Sequence, residues 1–107
     1  MNLPNVITGL VKAQDVHDSA AYANCFAETA CVFDEGKLRN GRNEIKQWIE
    51  EANEKYKTVM NPIGYIEAGA ESILTAEISG TFEGSPVVLK YHFEIKNGLI
   101  QSLKVIE

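Results

Sequence analysis

Asp34 is the residue of this chain whose surroundings best suit acid–base chemistry. It closes a short run of strand-forming residues and directly precedes Glu35-Gly36, where the chain is expected to turn. A carboxylate at the edge of an apolar cavity loses part of its hydration, which raises its pKa toward the range useful for taking and returning a proton. Because aspartate is also a common turn residue, a general base and a turn cap both remain open for Asp34.

Other chemistries lack the residue spacing they need. His17, His92, Cys25 and Cys31 fall on different predicted elements, without the close spacing of a metal site. Neither cysteine has a base near it in the sequence, so both are expected to be reduced, partly buried thiols. A glycine-rich phosphate loop is absent. The sequence therefore predicts no metal and no cofactor.

Composition limits the partners of this 107-residue chain. A net charge of −5 with scattered basic residues argues against nucleic acid, because phosphate backbones are bound by clustered lysine and arginine. No apolar run approaches the roughly 20 residues that cross a bilayer. The N-terminus does not resemble a secretory signal, so a cytoplasmic protein with a single domain over 1–107 is expected.

Three helices are predicted in the first half, where apolar residues recur at helical spacing. The first has its apolar face over 3–11. The second begins at Asp18, whose carboxylate can cap free amides, and is expected to bury Tyr22, Cys25 and Phe26. The third follows Asn40-Gly41-Arg42 and is the best defined, because one apolar stripe opposes a charged face. Its stripe consists of Ile45, Trp48, Ile49, Ala52 and Tyr56.

Alternation of apolar and polar residues replaces helical spacing from Lys57 onward. A short first strand over 30–34 and four long strands are predicted, the long ones covering 58–67, 72–82, 86–96 and 99–106. Asn97-Gly98 is a strong signal for a tight hairpin turn. Helices followed by strands are typical of an α+β fold, with the helices on one face of an antiparallel sheet.

Three segments, in this order, carry a resemblance to a known family: Asp18-x-x-Ala21-Tyr22-x-x-x-Phe26-Ala27-x-x-Ala30-x-x-x-Asp34, Gly41-Arg42-x-x-Ile45, and Gly80-x-Phe82-x-Gly84-x-Pro86 with Phe93-x-Ile95-x-Asn97-Gly98-x-Ile100. They resemble the SnoaL-like polyketide cyclases and ketosteroid isomerases of the nuclear-transport-factor-2-like superfamily. The resemblance covers nearly the whole chain. It implies a cone-shaped curved antiparallel sheet wrapped around three N-terminal helices, a pocket at the open end, and a homodimer through the outer sheet face.

The resemblance also implies site residues. Asp34 follows Asp18 by the sixteen positions that separate the general base of the isomerases from the start of their second helix. Of the two isomerase oxyanion donors, one position falls on Leu10, which cannot donate, and Tyr91 lies nearest the other. Since losing such a donor costs about a hundredfold or more in rate, steroid isomerisation itself is not expected. Tyr91 could still donate from the inner strand face, or be a core tyrosine bonded to backbone or water.

Other activities of this fold find little support. Glu77 has outward parity and does not suit the pocket carboxylate of the cyclases. His17 and His92 are not expected to converge as in the dehydratases. Arg39 is expected in a loop, which gives weak support for the aspartate–arginine set of the epoxide hydrolases, and Arg42 is expected to have a structural role where the third helix begins.

Three functions remain open. The first is an enzyme that transfers a proton on a small apolar carbonyl compound, with Asp34 as base and Tyr91 as donor. The second is a module that binds a small hydrophobic ligand without chemistry, and the third is a homodimeric interaction domain whose cavity is filled. The side chains expected to line or fill the cavity are Leu10, Tyr22, Phe26, Trp48 and Phe93.

Overall fold

Three helices and six strands make up the computed structural model, which describes residues 1–107. The helices are α1 (Asn5–Asp15), α2 (Ser19–Asn24) and α3 (Gly41–Tyr56). The strands are β1 (Phe26–Asp34), β2 (Lys37–Asn40), β3 (Val59–Ala68), β4 (Glu71–Ser79), β5 (Val87–Lys96) and β6 (Leu99–Ile106). The predicted α+β class is confirmed.

The six strands form one curved sheet in the order β2-β1-β6-β5-β4-β3. Strands β3 to β6 form the predicted antiparallel meander, and the Asn97-Gly98 turn joins the last two with both residues at positive φ. Register shifts at Pro62/Gly64 and at Glu94/Ile95 mark irregularities that bend the sheet. Helices α2 and α3 contact β1 while α1 contacts β3, so the sheet wraps around the helices as a cone.

The sequence predicted a wholly antiparallel sheet, but the structure contains one parallel pair of strands. Strands β1 and β6 pair in parallel, with Val32 opposite Leu103. This pairing follows from the chain path, because β1 precedes the long excursion through α3 and the meander, and β6 returns beside it. Local sequence patterns carry no information on a contact between segments so far apart.

The start of the sheet differs from the prediction in two further ways. Helix α2 ends at Asn24 after six residues, so Phe26 is buried as the first residue of β1 and not on a helix. A second strand, β2, follows a two-residue turn at Glu35 and Gly36, which both have positive φ and place Asp34 opposite Lys37. Pairing of Phe26 with Ile100 stabilises an extended chain where short-range periodicity favoured helix.

A polar cluster of Gln14, Asn53 and Thr58 ties the ends of α1 and α3 to the start of β3. The Gln14 amide Nε2 donates to Asn53 Oδ1 at 2.8 Å and to Thr58 Oγ1 at 2.9 Å, and the Thr58 hydroxyl also bonds Asn53. Gln14 and Asn53 are the two buried polar residues of the chain, so these bonds satisfy groups that would otherwise be costly to bury. The cluster fixes the helices at the wide end of the cone.

None of the three helices combines the length and the apolar character needed to cross a membrane. Cys25 and Cys31 are both free thiols of intermediate burial, as the sequence predicted.

Candidate functional site

A cavity of about 490 Å³ lies between α3 and the concave face of the sheet. This volume falls within the range of small-molecule sites. Thirteen of its nineteen lining residues are hydrophobic, which makes the interior a poor environment for an unpaired charge. Its walls come mainly from α3 and β5, through Trp48, Ile49, Ala52, Tyr56, Val87, Leu89 and Tyr91.

Asp34 lines this cavity from the end of β1. Strand alternation places its side chain on the same inner face as Ala30 and Val32, which are both fully buried. Burial raises the pKa of the Asp34 carboxyl, and the neighbouring Glu35 raises it further, while Arg39 and hydrogen-bond donors from Trp48 and the Glu35 backbone oppose the rise. Since the folded chain then holds this proton more tightly than the unfolded chain, stability falls as pH rises through the titration of Asp34. A carboxyl group that lies in a cleft and has its pKa raised by burial is a candidate functional group.

Arg39 holds the turn that carries Asp34. Its guanidinium donates to the backbone carbonyl of Asp34 at 2.7 Å and lies 5.8 Å from the centre of the Trp48 ring. No ion pair joins this guanidinium to the Asp34 carboxylate. The prediction that Arg39 lies in a loop was wrong, because it belongs to β2, opposite Val32. Arg39 therefore supports the position of the carboxylate without neutralising it.

Two phenols share the cavity with Asp34. Tyr22 is 2% exposed and Tyr91 is 8% exposed, and both line the cavity. Burial, followed by the charge of nearby groups that include Asp34, raises the pKa of Tyr22 and of Tyr91. Both phenols thus stay protonated at neutral pH and are available as donors to a molecule in the cavity.

Tyr22 was predicted only as a contact residue, so its hydroxyl is an addition to the site. Local sequence patterns do not separate this phenol from a core tyrosine, because α2 is short and its orientation depends on β1. Tyr22 lies against Phe26 and Trp48, with ring centres 5.8 and 6.2 Å away. These contacts hold the ring so that its polar end borders the cavity.

The five side chains predicted to contact a ligand divide into two groups. Tyr22 and Trp48 line the cavity. Leu10, Phe26 and Phe93 do not line it, and each is 0% exposed within the core. They correctly face the sheet interior, but they lie deeper in the cone, where helices and sheet are in direct contact. Phe93, for example, stacks beneath Tyr91 with ring centres 6.3 Å apart.

Several cavity residues were not singled out in the sequence as ligand contacts. Gln14 lines the cavity, as do Tyr56 and Phe82, whose aromatic rings form an edge-to-face pair. Tyr56 was placed on the helical stripe but interpreted as core. Phe82 was predicted as the last residue of a strand over 72–82, but β4 ends at Ser79, so Phe82 lines the cavity from the segment that follows the strand.

The other candidate groups lie apart from this cavity. His17 contacts the backbone carbonyl of Thr58 at 2.7 Å, while His92 lies on the outer sheet face with Glu71 at 2.8 Å, so the two histidines do not converge, as predicted. Glu77 is exposed, in agreement with its outward parity. Histidine, cysteine, aspartate and glutamate side chains form no cluster of three that could hold a metal ion.

Solved structures of the same shape identify the class of this fold. A proposed polyketide cyclase from Sinorhizobium meliloti is 34% identical over 97% of this chain and 95% of its own, with a TM-score of 0.93. A ketosteroid-isomerase-like protein from Catenulispora acidiphila, in complex with trimethylamine, is 18% identical over 99% of this chain and 87% of its own, with a TM-score of 0.87. A nuclear-transport-factor-2-like protein of unknown function from Cytophaga hutchinsonii is 18% identical over 95% of this chain and 86% of its own, with a TM-score of 0.79.

No protein-family profile and no curated protein sequence matches this chain. The two neighbours at 18% identity show the fold alone. With a relative 34% identical over almost its whole length, the chain belongs to the SnoaL-like group of the nuclear-transport-factor-2-like superfamily.

Proposed function

We propose that this protein binds a small, largely apolar molecule in the cavity and transfers a proton on it without a cofactor. The observation that carries the proposal is a half-buried carboxylate, Asp34, that shares an apolar cavity with two buried phenols. Asp34 acts as the general base, and Tyr91 and Tyr22 act as hydrogen-bond donors. A 34%-identical relative that is itself a proposed polyketide cyclase is in keeping with chemistry in this cavity.

The proposed reaction uses a carbonyl compound with a hydrogen on the carbon beside the carbonyl. The Asp34 carboxylate takes that proton, and the electron pair of the C–H bond moves to give an enolate. The developing negative charge on oxygen receives hydrogen bonds from the Tyr91 and Tyr22 hydroxyls, which are stronger in a dry site than in water. Protonated Asp34 then returns the proton to the same carbon or to another, so the protein ends unchanged.

Trp48 makes binding directly measurable, because it is the single tryptophan of the chain and lies in the cavity wall. Titration with a panel of small apolar ketones is expected to change Trp48 fluorescence and to raise the melting temperature. At a ligand concentration of 100 times Kd, the gain in unfolding free energy is about 2.7 kcal/mol.

A matched pair of variants tests whether the ligand occupies this cavity. Ala52→Leu fills space in the wall and is expected to abolish the response, whereas Ala20→Leu adds the same atoms to an exposed site on α2 and should leave it intact. If no ketone in the panel changes either signal, the proposal is wrong. The same holds if Ala52→Leu binds as tightly as the wild type.

We also propose that the protein is a homodimer joined through the outer face of its sheet. Cross-strand register aligns a row of outward side chains along the full width of the sheet, and four of its six members are apolar. In order, the row is Leu38, Phe33, Lys104, His92, Ile73 and Ile66. The apolar residues form a pair at each end of the row, with Lys104 and His92 between the pairs. Leu38 and Ile66 are 54% and 60% exposed, and exposed apolar groups of this kind are typical of an interaction site. This surface is also the observation that favours a non-catalytic interaction domain.

Sedimentation or light scattering is expected to give twice the 11.8 kDa chain mass for the wild type. Phe33→Glu should convert the dimer to a monomer, because it places a charge in the apolar row. Val16→Glu is the control, since Val16 is 74% exposed at the end of α1 and is not part of the outward row of the sheet. A monomeric wild type at micromolar concentration, or a dimeric Phe33→Glu variant, would contradict this proposal.

A further inference from the structure

We infer that the ligand of this cavity is an organic cation, an ammonium group that carries apolar substituents. The inference rests on the proposed function, in that it takes the cavity to be a binding site, and it goes further by assigning the charge of the ligand. Three features of the cavity lead to it: the sign of its charged groups, the aromatic character of its walls, and the absence of an ion pair to the Asp34 carboxylate.

Every charged side chain that lines the cavity is acidic. Asp34 lies inside, and Glu35, Glu83 and Glu107 are exposed at the rim, while no lysine, arginine or histidine lines the cavity. A cleft lined by one sign of charge raises the local concentration of the opposite ion and disfavours ions of the same sign. An anionic ligand would therefore meet repulsion here, whereas a cation would be attracted.

Aromatic rings supply much of the apolar wall. Five of the nine aromatic residues of the chain line this one cavity, namely Tyr22, Trp48, Tyr56, Phe82 and Tyr91. The face of an aromatic ring attracts a cation within about 6 Å, and the attraction strengthens when the site excludes water. Two of these rings already interact with cations of the protein, Trp48 with Arg39 and Tyr56 with Lys55, neither of which lines the cavity.

The Asp34 carboxylate lacks a counter-ion. Arg39, whose charge lowers the pKa of this carboxyl, bonds the Asp34 backbone carbonyl, and no ion pair of the protein includes the carboxylate. Half-buried anions are costly without a partner, and an ammonium group in the cavity would supply one. The phenol oxygens of Tyr22 and Tyr91, which line the cavity, can accept a hydrogen bond from a protonated amine as well as donate to a carbonyl, so they suit the same ligand.

Three probes of nearly equal shape separate charge from size: choline, its carbon isostere 3,3-dimethyl-1-butanol, and the anion 3,3-dimethylbutanoate. Binding is followed by Trp48 fluorescence or by NMR titration at low ionic strength. Choline is expected to bind at least tenfold more tightly than the neutral isostere, and the anion is expected not to bind. Added salt should weaken the binding of choline and leave the affinity for the alcohol unchanged.

Variants assign the effect to the cavity. Asp34→Asn is expected to reduce choline affinity about tenfold and to leave the alcohol unaffected. Glu77→Gln removes a carboxylate from the exposed outer face of β4 and should change the affinity for neither probe. The inference that the ligand is a cation would be overturned if choline and the alcohol bind equally tightly. It would also be overturned if Asp34→Asn and Glu77→Gln lower the affinity for choline by the same factor.

The outcome also distinguishes this inference from the proposed function. If the ketone panel binds and choline does not, the cavity is a binding site for neutral molecules and only the charge assignment fails. If neither choline nor any ketone binds, both fail.

Discussion

Replacing Asp34 by asparagine is expected to slow proton transfer on a bound ketone by about 10²- to 10⁴-fold, the usual contribution of a positioned general base. Asparagine keeps the shape of the side chain but cannot accept the proton. The reaction is followed in deuterated water, as loss of the NMR signal of the hydrogen beside the carbonyl, with the rate in buffer alone subtracted. Because the cavity and its phenols are retained in the variant, ketone binding measured by Trp48 fluorescence should persist.

Asp18→Asn is the matched control for this substitution. Asp18 caps α2 by accepting from the Ala21 amide at 3.0 Å, and asparagine caps helices about as well as aspartate. The control thus removes one carboxylate elsewhere and should leave both fold and rate unchanged. If Asp34→Asn exchanges the hydrogen as fast as this control, Asp34 is not the base.

The pH dependence of the same reaction follows from the state of Asp34. Only the deprotonated carboxylate accepts a proton, so the rate should rise with pH through the pKa of Asp34 and then level off. Because burial raises that pKa, the midpoint should lie above the ordinary aspartate value of about 3.9. The rise should be absent in Asp34→Asn. A midpoint at or below the ordinary value would contradict the desolvated position of the carboxylate.

Elements defined by their own sequence could be predicted well. Helix α3 has a continuous apolar stripe against a charged face, and strands β5 and β6 alternate on both sides of Asn97-Gly98, a turn whose residues tolerate positive φ. In each case the physical cause of the structure lies within the element or its immediate neighbours. Strand β6 was accordingly predicted with its observed bounds.

Features that depend on distant contacts could not be predicted in the same way. The parallel pairing of β1 with β6 joins the first strand to the last, and it extends β1 back to Phe26, which had been assigned to a helix. Strand β2 has only four residues, all of them exposed or partly exposed, so it shows no apolar alternation. A closer interpretation of Glu35-Gly36 as a two-residue hairpin turn was the one local signal that would have placed Arg39 beside Asp34.

The candidate site was predicted in part for a related reason. Parity along a strand tells which face a side chain takes, and it correctly turned Tyr91 inward, whereas the position of Asp34 at the cavity was implied by the family resemblance. Parity does not tell how deep in the cone a side chain lies. That depth depends on where α1 and α3 stop filling the sheet, and this explains why Leu10 and Phe93 are core residues while Tyr56 borders the cavity.

The boundary between core and cavity can be located by two substitutions on the inner face of β5. Phe93 is fully buried, so Phe93→Ala should lose about 3–5 kcal/mol of unfolding free energy, a large part of the 5–15 kcal/mol typical of a domain. Leu89 has the same parity but already borders the cavity, so Leu89→Ala should cost less than about 2 kcal/mol. Urea denaturation measures the free energy of unfolding of both variants. Lys90→Ala at an exposed position is the control and should change this free energy by no more than about 0.5 kcal/mol. Equal losses at positions 89 and 93 would mean that the wide end of the cone is packed in solution, which would leave no cavity beside Asp34.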